Sequence, residues 1–187
     1  MRPIILLSGG LDSAIMLHHA ISEGLEPVAL HLNWGQPSWD LEVAAARRQC
    51  ANRAPLLITS IRFPGGPMEA GVGAPGPRVV PGRNLVFVAT AVPYAVAHGC
   101  AEVWLGATSE DQADYPDCRP GFIFAADALT RSIASVGVSA PLINLDGPAL
   151  RAMAAHLGVD RAATWSCYQP RGASPCGACA ACIRRAV

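Results

Sequence analysis

Apolar residues fall along the chain in two alternating rhythms. Short aliphatic, β-branched runs at 3–8 (PIILLS), 27–33 (PVALHLN), 55–61 (PLLITSI), 101–107 (AEVWLGA) and 140–145 (APLINL) read as buried strands. Between them, residues 12–23, 39–53, 84–98 and 120–136 carry helical patterns, the third expected to kink at Pro93. Nearly continuous apolar strands alternating with helices predict an α/β chain with a parallel five-stranded sheet, covered by helices on both faces. Ligands of such sheets bind at the carboxyl ends of the strands. The Gly/Pro-rich stretch 64–82 breaks the rhythm and reads as a surface loop, either a plain linker or a lid beside the strand ends.

At 187 residues, 51% apolar and 15% charged, the chain can bury a core without staples and is not of the disordered class. Its formal net charge is zero, so no overall basic field draws it to nucleic acid, and only a local patch could do so. The apolar run in the first ten residues is too short for a signal peptide, and no stretch reaches the roughly 18 to 20 apolar residues of a membrane span. The expectation is a cytoplasmic protein without a membrane partner. Seven cysteines would stay reduced there, which favours metal ligands over disulfides.

The string Ser8-Gly9-Gly10-Leu11-Asp12-Ser13 follows the first strand and opens the first helix. Glycines let backbone wrap an anion, and the first helical turn offers unpaired N–H groups and a positive dipole end. The plainer reading is a tight turn with Asp12 or Ser13 as N-cap. The whole string is more specific than a glycine pair and resembles the PP-loop of the ATP pyrophosphatases, which split ATP to AMP and pyrophosphate.

Cys176, Cys179 and Cys182 are spaced C-x-x-C-x-x-C, with Cys167 eight intervening residues upstream. Four thiolates at this spacing can converge on one tetrahedral Zn²⁺ and leave no open position, which makes the metal structural. An iron–sulfur cluster is the rival, although the downstream Cys-Pro of ferredoxin runs is missing. The expected organisation is a nucleotide-binding domain over 1–163 and a zinc-binding tail over 164–187 packed on it.

Read together, SGGLDS (8–13), WGQ (34–36), VPGRNLVF (80–87), YPDCRPGF (115–122), PLINLD (141–146) and TWSCY (164–168) with its cysteines resemble the 7-cyano-7-deazaguanine synthases, QueC. The resemblance implies a Rossmann-like, adenine nucleotide alpha hydrolase-like fold, a homodimer and one structural zinc. It implies conversion of a deazapurine carboxylate, 7-carboxy-7-deazaguanine, with ammonia and ATP, into the nitrile through an acyl adenylate, an amide and a second adenylation. Ser8, Gly9, Gly10, Leu11, Asp12 and Ser13 would then hold the pyrophosphate end of ATP with Mg²⁺, Ser8, Asp12, Ser13 and Arg83 serving catalysis. Asn84 would line the nucleotide pocket, and Asp117, Cys118 and Arg119 the substrate pocket.

Plainer readings stand beside these. Arg83 as a surface charge, Asn84 as a helix N-cap and Cys118 as an inert buried thiol are alternatives. The five histidines show no ligand spacing and read as ordinary structural residues, while Trp34 and Trp165 lie within the matching motifs and can stack on a purine-like ring.

The sequence also departs from the family pattern. PSWDLE (37–42) replaces a basic stretch, Gly147 stands where a Lys is expected, and Gly121 replaces a Glu. Three functions are compatible with this: the nitrile synthase or a close paralogue, a ligase adenylating another carboxylate or stopping at an amide, and a silent nucleotide-binding zinc module.

Overall fold

In a computed structural model, residues 1–63 and 80–186 are described. The predicted strands appear as β1 (Pro3–Leu6), β2 (Val28–Asn33), β3 (Leu56–Ser60) and β4 (Glu102–Trp104), joined by a short β5 (Gly137–Ser139). They form one parallel sheet of order β3-β2-β1-β4-β5, with Ile4 opposite both Val28 and Val103. The helices are α1 (Leu11–Ser22), α2 (Trp39–Cys50), α3 (Arg83–Ala97), α4 (Asp111–Asp114), α5 (Pro120–Ala134), α6 (Gly147–His156) and α7 (Ala180–Ala186).

Side chains alternate across the strands, so each strand feeds two cores. Ile5, Leu7, Ala29 and Trp104 pack with α1, α2 and α6 through Ile15, Ala46, Leu150 and their neighbours. Ile4, Val28, Leu30 and Val103 pack on the other face with Val88, Ala91 and Ala95 of α3 and Ala126 of α5. Strand order runs outward from β1 to β3 and then restarts at β4 on the other side of β1. The crevice between the carboxyl ends of β1 and β4 is therefore the topological switch point, where ligands of open α/β sheets bind.

One predicted strand moves. Residues 140–145 are not a strand but consecutive turns, closed by Ile143 N–H to Ala140 O at 3.1 Å and Leu145 N–H to Leu142 O at 2.9 Å. An apolar run is a burial signal before it is a strand signal, and Leu142 is indeed fully buried against the α1, α2 and α6 face. The strand lies just upstream because α5 ends at Ala134, with Ser135 in the left-handed region at φ 53°. Asp127 of α5 then accepts the Val138 N–H at 2.8 Å. Pro93 lies inside α3, which runs as one helix across it. The loop expected at 64–82 falls mostly outside the described residues. No described helix is long and apolar enough to cross a membrane.

Candidate active site and metal centre

The glycine-rich turn after β1 is built for close approach. Gly9 has φ +85°, and a Cβ there would collide with the Glu42 carbonyl oxygen, so the loop lies directly on α2. Gly10, not Asp12 or Ser13, is the N-cap of α1. The first intrahelical bond is Ala14 N–H to Gly10 O at 3.1 Å, which leaves the N–H groups of Leu11, Asp12 and Ser13 without carbonyls behind them. Ser8 Oγ takes the Gly10 N–H at 3.2 Å and meets Ser13 Oγ at 3.1 Å; Ser13 Oγ–H also reaches Gly10 O at 3.0 Å. Ser8, Gly10, Asp12 and Ser13 thus line one concave spot.

A cavity of about 270 Å³ opens there, at the switch point. Of the expected residues it is lined by Ser8, Gly10, Asp12, Ser13, Arg83, Asn84 and Cys118; Gly9 and Leu11 support it from behind. Asp117 and Arg119 lie outside the lining. The Asp117 carboxylate accepts the Asn84 N–H at 2.9 Å, and Asn84 Nδ2 donates to Asp117 O at 3.0 Å and to Cys118 Sγ at 3.4 Å. Asn84 is therefore inside α3, capped by Asp117, rather than the N-cap, which is Gly82. Arg119 instead precedes α5 and donates to Gln112 O at 2.8 Å.

Arg83 is no loose surface charge. Its guanidinium carbon stands 5.5 Å from the Trp34 ring centre and 5.9 Å from those of Phe87 and Tyr115, and its buried Nε has no partner among the described residues. An aromatic-walled cation with unused donors suits a flat anionic ligand. Cys118 remains the inert thiol: burial, then the Asp111 and Asp117 charges, push it up to about 12.

Burial, and next the neighbouring Asp111, raise the Asp12 carboxyl to about 6. Glu42 is also raised by burial, with Ser38 Oγ–H at 2.6 Å and Gln36 Nε2–H at 2.8 Å donating to its two oxygens. PSWDLE, where a basic stretch was expected, thus supplies a buried acid to the cavity wall. Gly147 donates its N–H to Glu110 Oε1 at 2.8 Å, and an added Cβ would stand 2.6 Å from that oxygen. Gly121 has open space around it.

Several lining residues were missed in the sequence: Asp111, Tyr115 and Tyr168 lay inside or beside quoted motifs, but nothing in their spacing assigned them. Arg184 carried no signal at all, since it arrives from the C-terminal tail. His31 reads as structural, and its Nδ1 does bond Leu7 O at 2.7 Å; yet it also lines the cavity, with Nε2 unpartnered among the described residues. Trp34 lines the cavity, whereas Trp165 donates its ring N–H to Cys167 O at 2.9 Å and its backbone N–H to Gly9 O at 2.9 Å.

The four cysteines meet. Their sulfurs all lie within 4.8 Å of one another, with Cys176 and Cys182 at 3.9 Å. A tetrahedral ion with metal–sulfur bonds of about 2.3 Å requires sulfur separations of about 3.8 Å. The outer corners of a cuboidal iron–sulfur cluster are much farther apart. Gly177, at φ +73°, turns the chain so that Cys179 N–H reaches Cys176 Sγ at 3.3 Å, while Cys176 N–H reaches Cys167 Sγ at 3.2 Å. Backbone donors from Ala178 and Cys179 hold the Cys176 thiol down to about 6, while burial lifts Cys182 to about 12. Four sulfurs this close together fit a single tetrahedral cation.

The family model described as "Queuosine biosynthesis protein QueC" matches residues 2–63 and 69–187. The 7-cyano-7-deazaguanine synthase of Aromatoleum aromaticum is 37% identical over 206 residues, covering 98% of this chain and 91% of that protein. The protein of the same name from Marinobacter nauticus is 35% identical over 199 residues, covering 97% and 89%. Among solved structures, the U34-tRNA thiolase NcsA of Methanococcus maripaludis, with its [4Fe-4S] cluster, has a TM-score of 0.59 at 17% identity, covering 95% of this chain and 62% of that one. The NMN synthetase of Francisella tularensis has a TM-score of 0.58 at 18% identity, covering 95% and 69%. These structural likenesses concern the fold.

Proposed function

The chain belongs to the QueC family of queuosine biosynthesis proteins, and from that premise we propose that it is an ATP-dependent 7-cyano-7-deazaguanine synthase. The observation that carries the reading is the single cavity into which the phosphate loop and the aromatic-walled Arg83 both open.

A carboxylate resists attack by ammonia until one oxygen is joined to AMP. The loop holds the pyrophosphate end of ATP through the free amides of Leu11, Asp12 and Ser13 and the hydroxyls of Ser8 and Ser13, with Mg²⁺ screening the phosphate charge. The deazapurine lies along Trp34, Phe87 and Tyr115, with Arg83 turned to its carboxylate. Ammonia displaces AMP to give the amide; a second adenylation, on the amide oxygen, allows loss of that oxygen with AMP and leaves the nitrile. Holding both reactants in one cavity is the main service of the protein, since orientation alone removes much of such a barrier.

Cys167, Cys176, Cys179 and Cys182 would hold Zn²⁺ in a structural role, tying a tail too small to fold by itself onto the nucleotide-binding domain at 1–163. Cytoplasmic residence would keep these thiols reduced. Exposed Leu85, Val86 and Val96 of α3, with Phe124, Leu129 and Ile133 of α5, support assembly as a homodimer.

The test is pyrophosphate–ATP exchange by the zinc-loaded protein with and without 7-carboxy-7-deazaguanine, followed by product mass with ammonia added. Exchange that requires the deazapurine, and a nitrile product, is expected. A product that stops at the amide, or no exchange by folded protein that binds ATP, would overturn the reading.

A further inference from the structure

Two guanidiniums line the cavity, and the chemistry above uses only Arg83. The other, Arg184, lies on α7 two residues beyond Cys182. It shares that lining with Asp12, Asp111 and Tyr115, and its Nη2 stands 3.5 Å from Tyr168 Oη. Among the described residues no carboxylate lies within 4.0 Å of it. A guanidinium that lines a cavity with two carboxylates and closes on neither keeps donors for an anion.

Which anion follows from the neighbours. Asp12 stands in the first turn of α1, beside the free amides and hydroxyls of the phosphate loop, whereas Arg83 stands over the aromatic wall on the Asn84 side. The tail is also tied to that loop: Trp165 N–H bonds Gly9 O at 2.9 Å, and Arg185 Nη1 bonds Thr164 Oγ1 at 2.8 Å, clamping α7 to the same strap.

We propose that Arg184 contacts the pyrophosphate as it is expelled from ATP, so that the cysteine-clustered tail delivers a charge-stabilising group to the adenylation step. The inference rests on the adenylating reading given above. In that step the carboxylate oxygen bonds to the α-phosphorus, and the bond from that phosphorus to the bridging oxygen breaks. The electron pair departs on pyrophosphate, where the guanidinium donors meet it. No proton or electron passes through Arg184. The tail is therefore part of the active site, and its cysteine cluster is a positioning device as well as a fold element.

The experiment compares zinc-loaded wild type with R184M and R184K in three readouts: calorimetric binding of magnesium pyrophosphate, pyrophosphate–ATP exchange, and zinc content with urea midpoint. Loss of the charge is expected to weaken pyrophosphate binding on the order of tenfold and exchange about 100-fold. Zinc, midpoint and KM for the deazapurine should hold, and R184K should recover part of the loss. R184M that binds pyrophosphate and exchanges like wild type, or that raises only the deazapurine KM, would overturn the proposal. Wild type that binds pyrophosphate yet shows no deazapurine-dependent exchange would instead sink the substrate reading, with the binding comparison still deciding Arg184.

Discussion

Asp12 offers a direct test of how this cavity trades stability for chemistry. Burial first, and Asp111 second, raise its carboxyl from an ordinary 3.8 to about 6. The folded state therefore holds a proton that the unfolded chain releases between those values. The cost to the fold is absent below pH 3.8, grows as pH rises, and is complete above about 6. At about 1.4 kcal/mol per pH unit, the full cost is about 3 kcal/mol, an upper bound. Asp12→Asn removes the ionisation and keeps the shape. Urea unfolding of the ligand-free protein should show D12N more stable than wild type by up to about 3 kcal/mol at pH 8, with the gain shrinking to a few tenths near pH 4. Exchange activity should fall in the same variant on the reading that this carboxylate serves the pyrophosphate end of ATP. A D12N protein that is not stabilised at pH 8, or whose gain is the same at both pH values, would refute the electrostatic account.

Asp117→Ala should cost about 1 kcal/mol through loss of the cap on the Asn84 N–H, and should raise the KM for the deazapurine as α3 lets Arg83 drift. An unchanged urea midpoint and unchanged KM would show that Asp117 does neither. Cys179→Ser should abolish one bound zinc per chain and speed hydrogen exchange across 164–186, since the tail has little apolar core of its own; stoichiometric iron in the wild type would contradict the tetrahedral assignment.

The site was partly legible because its motifs are local. Ser8 through Ser13 are contiguous, and Cys176, Cys179 and Cys182 recur every third residue with Cys167 nine positions upstream, so their grouping survives reading in one dimension. Asp117 was read as a substrate contact and lies instead behind Asn84, because three residues in a row, 117 to 119, point different ways around a tight 3₁₀ turn at Pro116–Cys118. Arg119 left the lining for the same reason. The fifth strand was displaced because an apolar run such as 140–145 records burial, and turns can be buried as well as strands.

By itself the sequence determined the parallel sheet, the glycine-rich turn after β1 and the cysteine tetrad, which follow from periodicity and short-range spacing, while its longer motifs carried the resemblance to the family. Only the tertiary structure decided that Arg83 stands over Trp34, Phe87 and Tyr115, that Glu42 enters the cavity wall, and that Arg184 lines the same cavity as Asp12. Residues 12 and 184 lie at opposite ends of the chain. That they share one cavity depends on how the tail crosses the loop at Gly9 and closes on its own cysteines, a packing outcome that no spacing along the chain encodes.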